Sequence, residues 1–190
     1  KFLGNQAEIT RDKNTIMHSS NVILPGVGAF GNAMEKLEKY NLKDVVLEYA
    51  KSEKPLLGVC LGMQILLTLG HEFGEHKGLG LIDGVVKKIS NKQNNDIKIP
   101  HVGWNEIYPK NNKKEWNNKI LKNLPVGNNF YFVHSYICKP KQPDAIIAEC
   151  NYLGLLIPSI IADKNIYGCQ FHPEKSGENG LVFLKNFCEI

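Results

Sequence analysis

Gly58-Val59-Cys60-Leu61-Gly62 sets a thiol between two glycines, where one apolar run, Leu56 to Val59, gives way to another, Leu61 to Leu69. Small neighbours on both sides let a strand turn sharply into a helix with the nucleophile at the tip, the nucleophile-elbow pattern with Cys in place of Ser. The start of the following helix presents free backbone N–H groups, an environment that favours thiolate over thiol. Such a nucleophile needs a base, and Gln170-Phe171-His172-Pro173-Glu174 offers one at the end of an apolar run. Alternation puts His172 and Glu174 on one side of an extended chain, and Pro173 disfavours a helical His172. Glu174 can then fix the imidazole's tautomer, which makes Cys60, His172 and Glu174 a candidate triad for acyl transfer. Pro25-Gly26-Val27-Gly28 adds a glycine-flanked peptide whose N–H can approach an oxyanion closely.

Positioning these residues requires strands that end where the chemistry begins. Val22-Ile23-Leu24 reads as a strand closed by Pro25-Gly26, and Leu56 to Val59 as a second, buried strand. Between them Leu37, Tyr40, Val45 and Tyr49 recur at helical spacing from Asn32 to about Ser52, broken near Asn41, which predicts one helix or two short ones. Leu61 to Leu69 predicts a further helix stopped by Gly70. Farther on, Val85–Ile89, Ile97–Ile99, Phe130–His134, Ala145–Ala148 and Ile166–Phe171 read as strands with few helices between them, so antiparallel pairing is expected there. Asn91 to Asn95 and Lys110 to Asn118 read as solvated Lys/Asn-rich loops. A last helix from about Gly180 to Phe187 presents Leu181, Leu184 and Phe187 on one face. The fold class expected is α/β: a central mixed, mostly parallel sheet flanked by helices, with a smaller antiparallel sheet.

Composition removes several function classes. The 190 residues, 43% of them hydrophobic, are expected to form one domain over 1–190. The net charge is only +4, scattered along the chain and carried by lysine apart from Arg11, so no nucleic-acid partner is expected. Five cysteines, an odd number without a C-x-x-C pair, argue against a disulfide framework or a metal site, and Cys138, Cys150, Cys169 and Cys188 read as small core residues. No apolar run approaches the ~18 residues of a membrane span, and the first ten residues lack a signal-like run, so a cytoplasmic protein without a membrane partner is expected.

These segments, in this order, resemble the class I triad-type glutamine amidotransferases, and within them the glutaminase subunits of imidazole glycerol phosphate synthase. The match rests on VILPGVGAFG (Val22 to Gly31), PLLGVCLGMQ (Pro55 to Gln64), HVGWN (His101 to Asn105), YFVHSY (Tyr131 to Tyr136) and GCQFHPEKS (Gly168 to Ser176), and runs from about Gly4 onward. The resemblance implies that Cys60 attacks the side-chain amide of L-glutamine, His172 shuttles the proton and Glu174 orients it, with no cofactor. It further implies an oxyanion site from Gly26, Val27, Gly28 and Leu61, and substrate contacts from Gln64, Glu72, Ser135 and Tyr136. A heterodimer with a (β/α)8-barrel cyclase is implied, met through Trp104, Asn105, Tyr136 and Lys175, which would take the ammonia for imidazole glycerol phosphate synthesis in histidine biosynthesis.

The same motifs would serve a paralogue that supplies ammonia to a sugar amidotransferase of surface-polysaccharide biosynthesis. The family's usual opening, a strand like I-x-D-Y-G-x-G-N-L and a helix, has no counterpart before Phe2-Leu3-Gly4. On this reading the sequence begins inside the domain by about 30 residues, one strand–helix unit. That leaves open a subunit impaired in catalysis that acts only in binding.

Overall fold

A short helix, α1 (Lys13–His18), starts at Asp12, whose carboxylate accepts the Thr15 backbone N–H at 2.7 Å, and hands the chain to strand β1 (Val22–Gly26). The computed structural model describes residues 3–90, 97–112 and 114–190. After β1 come α2 (Phe30–Lys39) and α3 (Leu42–Lys51), separated by Asn41 at φ +53°, where the helical spacing in the sequence breaks. Next are β2 (Leu56–Cys60) and α4 (Leu61–Ile65). The helix expected to reach Leu69 stops after five residues, and the apolar run continues as strand β3 (Leu67–Gly70), since apolar periodicity alone does not separate a short buried helix from a buried strand.

The remaining strands are β4 (His76–Lys77), β5 (Ile82–Lys88), β6 (His101–Glu106), β7 (Tyr108–Pro109), β8 (Asn129–His134), β9 (Tyr136–Pro140), β10 (Ile146–Tyr152), β11 (Leu155–Asp163) and β12 (Ile166–Cys169), before the closing helix α5 (Gly177–Cys188). Ile97–Ile99 is irregular, not a strand, and the Asn91–Asn95 loop lies outside the described residues. The largest sheet has the order β1-β2-β12-β11-β10-β7. It is mixed, as expected, but its parallel pairs are confined to β1-β2 and β2-β12, while the other three pairings are antiparallel. Beside it lie a four-stranded sheet, β4-β3-β5-β9, and an antiparallel ribbon of β6 and β8.

Burial explains the placement. β2 is covered on both faces and all five of its residues are buried, so it reads as a continuous apolar run. Leu57 and Val59 join a core with Phe130, Phe132, Phe183 and Phe187, while Leu56 joins another with Phe30, Met34, Val46 and Tyr49. In α5 the buried face is Gly180, Phe183, Asn186 and Phe187; Leu181 and Leu184 sit at its margin. All five cysteines are free, and Cys138, Cys150 and Cys169 are fully buried.

Candidate active site

The carboxyl ends of three parallel strands lie side by side. Gly26 of β1 pairs with Cys60 of β2, and Cys169 of β12 pairs with Val59. The glycine-rich turn, the thiol and the segment leading to His172 therefore leave the sheet at one edge, which is where open parallel sheets collect their ligands.

Cys60 has φ +54° and ψ −109°, a conformation that L residues rarely adopt, and it is 8% exposed. The elbow fits only because its neighbours lack side chains. A Cβ on Gly58 would lie 2.6 Å from the Gly62 carbonyl, and one on Gly62 would lie 1.9 Å from the Leu24 carbonyl oxygen. Among the described residues the thiol donates to the Val133 carbonyl at 3.9 Å and accepts from the Gln170 side-chain amide at 3.8 Å. The expectation of a thiolate is not met in this state. Burial pushes the Cys60 thiol up to about 11, outweighing the Leu61 N–H that favours the anion; the Glu174 carboxylate raises it further. Alkylation of Cys60 by iodoacetamide in the free chain should accordingly keep accelerating up to about pH 10. A rate already level at pH 7 would contradict this resting state.

His172 is 5% exposed, and its Nδ1 lies 2.8 Å from Glu174 Oε1, whose side chain is half exposed. The pair meets by a different route from the one read in the sequence. His172 is extended (φ −98°, ψ 98°), but Pro173–Lys175 form a 3-10 turn that swings Glu174 back onto the ring. Buried Ser176 fixes this turn, donating to the His172 carbonyl at 2.7 Å and accepting the Tyr131 N–H at 3.0 Å.

Of the turn residues, Val27 is largely exposed and Gly28 has φ +101° with open space where a Cβ would stand, so backbone conformation and not crowding selects glycine there. Leu61 begins α4 with its N–H at the thiol. Gln64, 5% exposed, donates its amide to the Tyr136 carbonyl at 3.2 Å and to Gln170 Oε1 at 3.2 Å. Glu72 Oε2 accepts the Phe30 N–H at 2.7 Å, and so caps α2. Burial of the Tyr136 phenol raises it, and the Glu72 charge raises it further. The Ser135 carbonyl accepts the Ile89 N–H at 2.8 Å.

The outer face of the β6–β8 ribbon carries half-exposed Trp104 and Val102, with Trp104 edge-on to Tyr131 at 6.0 Å and the Lys175 ammonium 6.0 Å from the same ring. Tyr131 therefore joins Trp104 and Lys175, whereas Tyr136 keeps company with Gln64 and Glu72. Asn105 turns inward to His101, its amide 3.1 Å from Nε2. Sequence reasoning assigned no role to Tyr131, Gln170, His101 or His134, although all four lie inside the motifs it used.

His101 and His134 are buried and bonded to each other at 2.9 Å, and burial holds them down to about 4 and about 3. Their stabilising contribution is complete above the ordinary histidine value and lost as pH falls toward those lower values, because the unfolded chain takes up protons that the folded rings refuse. The urea midpoint should therefore fall as pH drops below about 6.5. A midpoint constant from pH 7 to pH 5 would contradict it.

The sequence-family model of class-I glutamine amidotransferases matches residues 3–190. The chain is 45% identical over 177 residues to imidazole glycerol phosphate synthase subunit HisH 1 of Legionella pneumophila (strain Lens), covering 92% of this chain and 83% of the relative. It is 45% identical over 189 residues to imidazole glycerol phosphate synthase subunit HisH of Wolinella succinogenes, covering 99% and 89%. A crystal structure of a glutamine amidotransferase superposes with TM-score 0.72 at 17% identity over 98% of this chain and 89% of that one, a likeness of fold.

Proposed function

The chain belongs to the class I glutamine amidotransferases, and from that membership we propose that Cys60, His172 and Glu174 hydrolyse L-glutamine to glutamate and ammonia. The observation that carries this reading is the strained Cys60 elbow at the same sheet edge as the segment leading to a buried His172, whose Nδ1 is held by Glu174 at 2.8 Å. That bond leaves Nε2 as the base. Sγ adds to the amide carbon of glutamine while its proton passes to Nε2, and the carbonyl oxygen becomes an oxyanion. The N–H of Leu61 and a peptide N–H of the Gly26-Val27-Gly28 turn donate hydrogen bonds to that oxyanion. Nε2 returns the proton to the amide nitrogen, the C–N bond breaks, and ammonia leaves a γ-glutamyl thioester. Water, deprotonated by the same Nε2, then releases glutamate and restores the thiol. Gln64, Glu72, Ser135 and Tyr136 line the glutamine site.

The HisH relatives are named as subunits, which supports a partner that uses the ammonia. In neutral water ammonia is mostly ammonium, which has no lone pair for attack, so a sealed junction with the acceptor enzyme is part of the chemistry. We assign the acceptor to a (β/α)8-barrel cyclase of histidine biosynthesis, docked on Trp104, Asn105, Tyr131 and Lys175. The parked, neutral thiol fits a glutaminase that stays quiet until that partner is engaged. Rescue of a histidine auxotroph lacking its glutaminase subunit tests the acceptor, and failure to rescue by a protein that hydrolyses glutamine would overturn it. Trp104→Ala should weaken the complex about 30-fold, the effect of losing an aromatic anchor worth ~2 kcal/mol, read by titration calorimetry. Unchanged affinity would move the docking face elsewhere.

A further inference from the structure

Two buried histidines take no part in the chemistry above, yet they join the ribbon to the nucleophile. The Tyr136 carbonyl can only accept, so His134 Nδ1, 2.9 Å away, carries a proton. Neutral His134 then has a bare Nε2, which requires a proton on His101 Nδ1 at 2.9 Å. Neutral His101 in turn has a bare Nε2, which receives the Asn105 amide at 3.1 Å. One fixed carbonyl thus sets the tautomer of both rings and the direction of every bond. The same carbonyl accepts from Gln64, which also donates to Gln170, whose amide reaches the Cys60 sulfur. His101 is clamped between Phe132 and Tyr152, with ring centroids at 4.8 and 4.0 Å, so the relay has little freedom to reorient.

We propose that His134 is a positioning residue for the Cys60 chemistry, and that Asn105, His101 and His134 form a directed hydrogen-bond relay holding the Tyr136 carbonyl against the nucleophile helix. That the relay's outer end lies at the docking face rests on the function proposed above; the relay itself does not. The ionisable neighbours of His134 are His101 from β6 and His172 from the segment after β12, and both disfavour a charge on it. A proton on either ring of the relay would set two N–H groups against each other and break the chain.

The test has two arms. In the 15N spectrum of the full chain with labelled histidine, His101 and His134 should both be Nδ1-protonated with bare Nε2, unchanged from pH 8 to pH 5. An Nε2–H form, or titration near the ordinary histidine value, overturns the relay whether or not the protein hydrolyses glutamine. In the second arm, His101→Phe keeps the aromatic stack and removes both nitrogens. It should lower glutaminase kcat/KM in the partner complex about tenfold, roughly the effect of one lost hydrogen bond. His134→Leu should do at least as much harm, whereas His134→Asn, whose short amide can still donate to Tyr136, should recover most of the activity. Equal activity in the Leu and Asn variants would overturn the positioning role.

Discussion

Cys60→Ala is expected to lower glutamine hydrolysis by ~10⁴-fold or more, because removing the attacking atom of a triad abolishes the covalent route and leaves only binding and oxyanion contributions. The fold and the proposed docking face should survive, since among the described residues the sulfur's side-chain hydrogen bonds are weak, to Val133 and Gln170, and the Leu61 N–H can turn to water. A more informative comparison is Cys60→Gly. The φ of +54° and ψ of −109° remain strained for Ala but not for Gly, and such strain costs ~1–3 kcal/mol. The Gly variant should therefore melt several degrees above the Ala variant while being equally inactive. If Ala and Gly melted together, the elbow would not be strained. If either retained turnover, Cys60 would not be the nucleophile.

Gly62→Ala is the second large effect, and it acts on folding and activity together. Its new Cβ would stand 1.9 Å from the Leu24 carbonyl oxygen, a backbone atom of β1 that can yield only if the strand moves away from α4. The same movement would displace Gly26, where a Cβ would lie 2.9 Å from the Gly62 nitrogen, and with it the turn proposed to hold the oxyanion. A destabilisation of about 3 kcal/mol is expected, a fall of roughly 6–12 °C in melting temperature for a chain of this size. Activity of the folded fraction should drop as well. A variant that melts and turns over like the parent would mean that β1 and α4 are not in the contact described.

The elbow was legible because its requirements are local. Glycines at Gly58 and Gly62 and an apolar run into Cys60 write the strand–turn–helix unit directly into the sequence. The His172–Glu174 pair was legible as a pair but not as a conformation, since Pro173 is compatible both with an extended chain and with the 3-10 turn that forms. β11, the longest strand, went unread because Pro158 sits in its middle, where it faces Glu149 across an irregular register. β6 was hidden by Gly103 in the same way. The resting state of the thiol could not be read from the elbow alone, because helix-terminus attraction and burial oppose each other and only packing sets the balance. The histidine relay depends on the β6–β8 register, in which His101 faces His134, and no local pattern specifies that pairing.

On the function proposed, Cys60 forms a γ-glutamyl thioester with glutamine, using His172 as its base. The direct measurement treats the chain, with the proposed cyclase partner bound, with a diazoketone analogue of glutamine and locates the adduct by peptide mass spectrometry. One equivalent of label is expected on the peptide carrying Cys60, protected by excess glutamine and strongly slowed in His172→Gln. Label on Cys138, Cys150, Cys169 or Cys188 instead, or none while glutamine turnover continues, would contradict it.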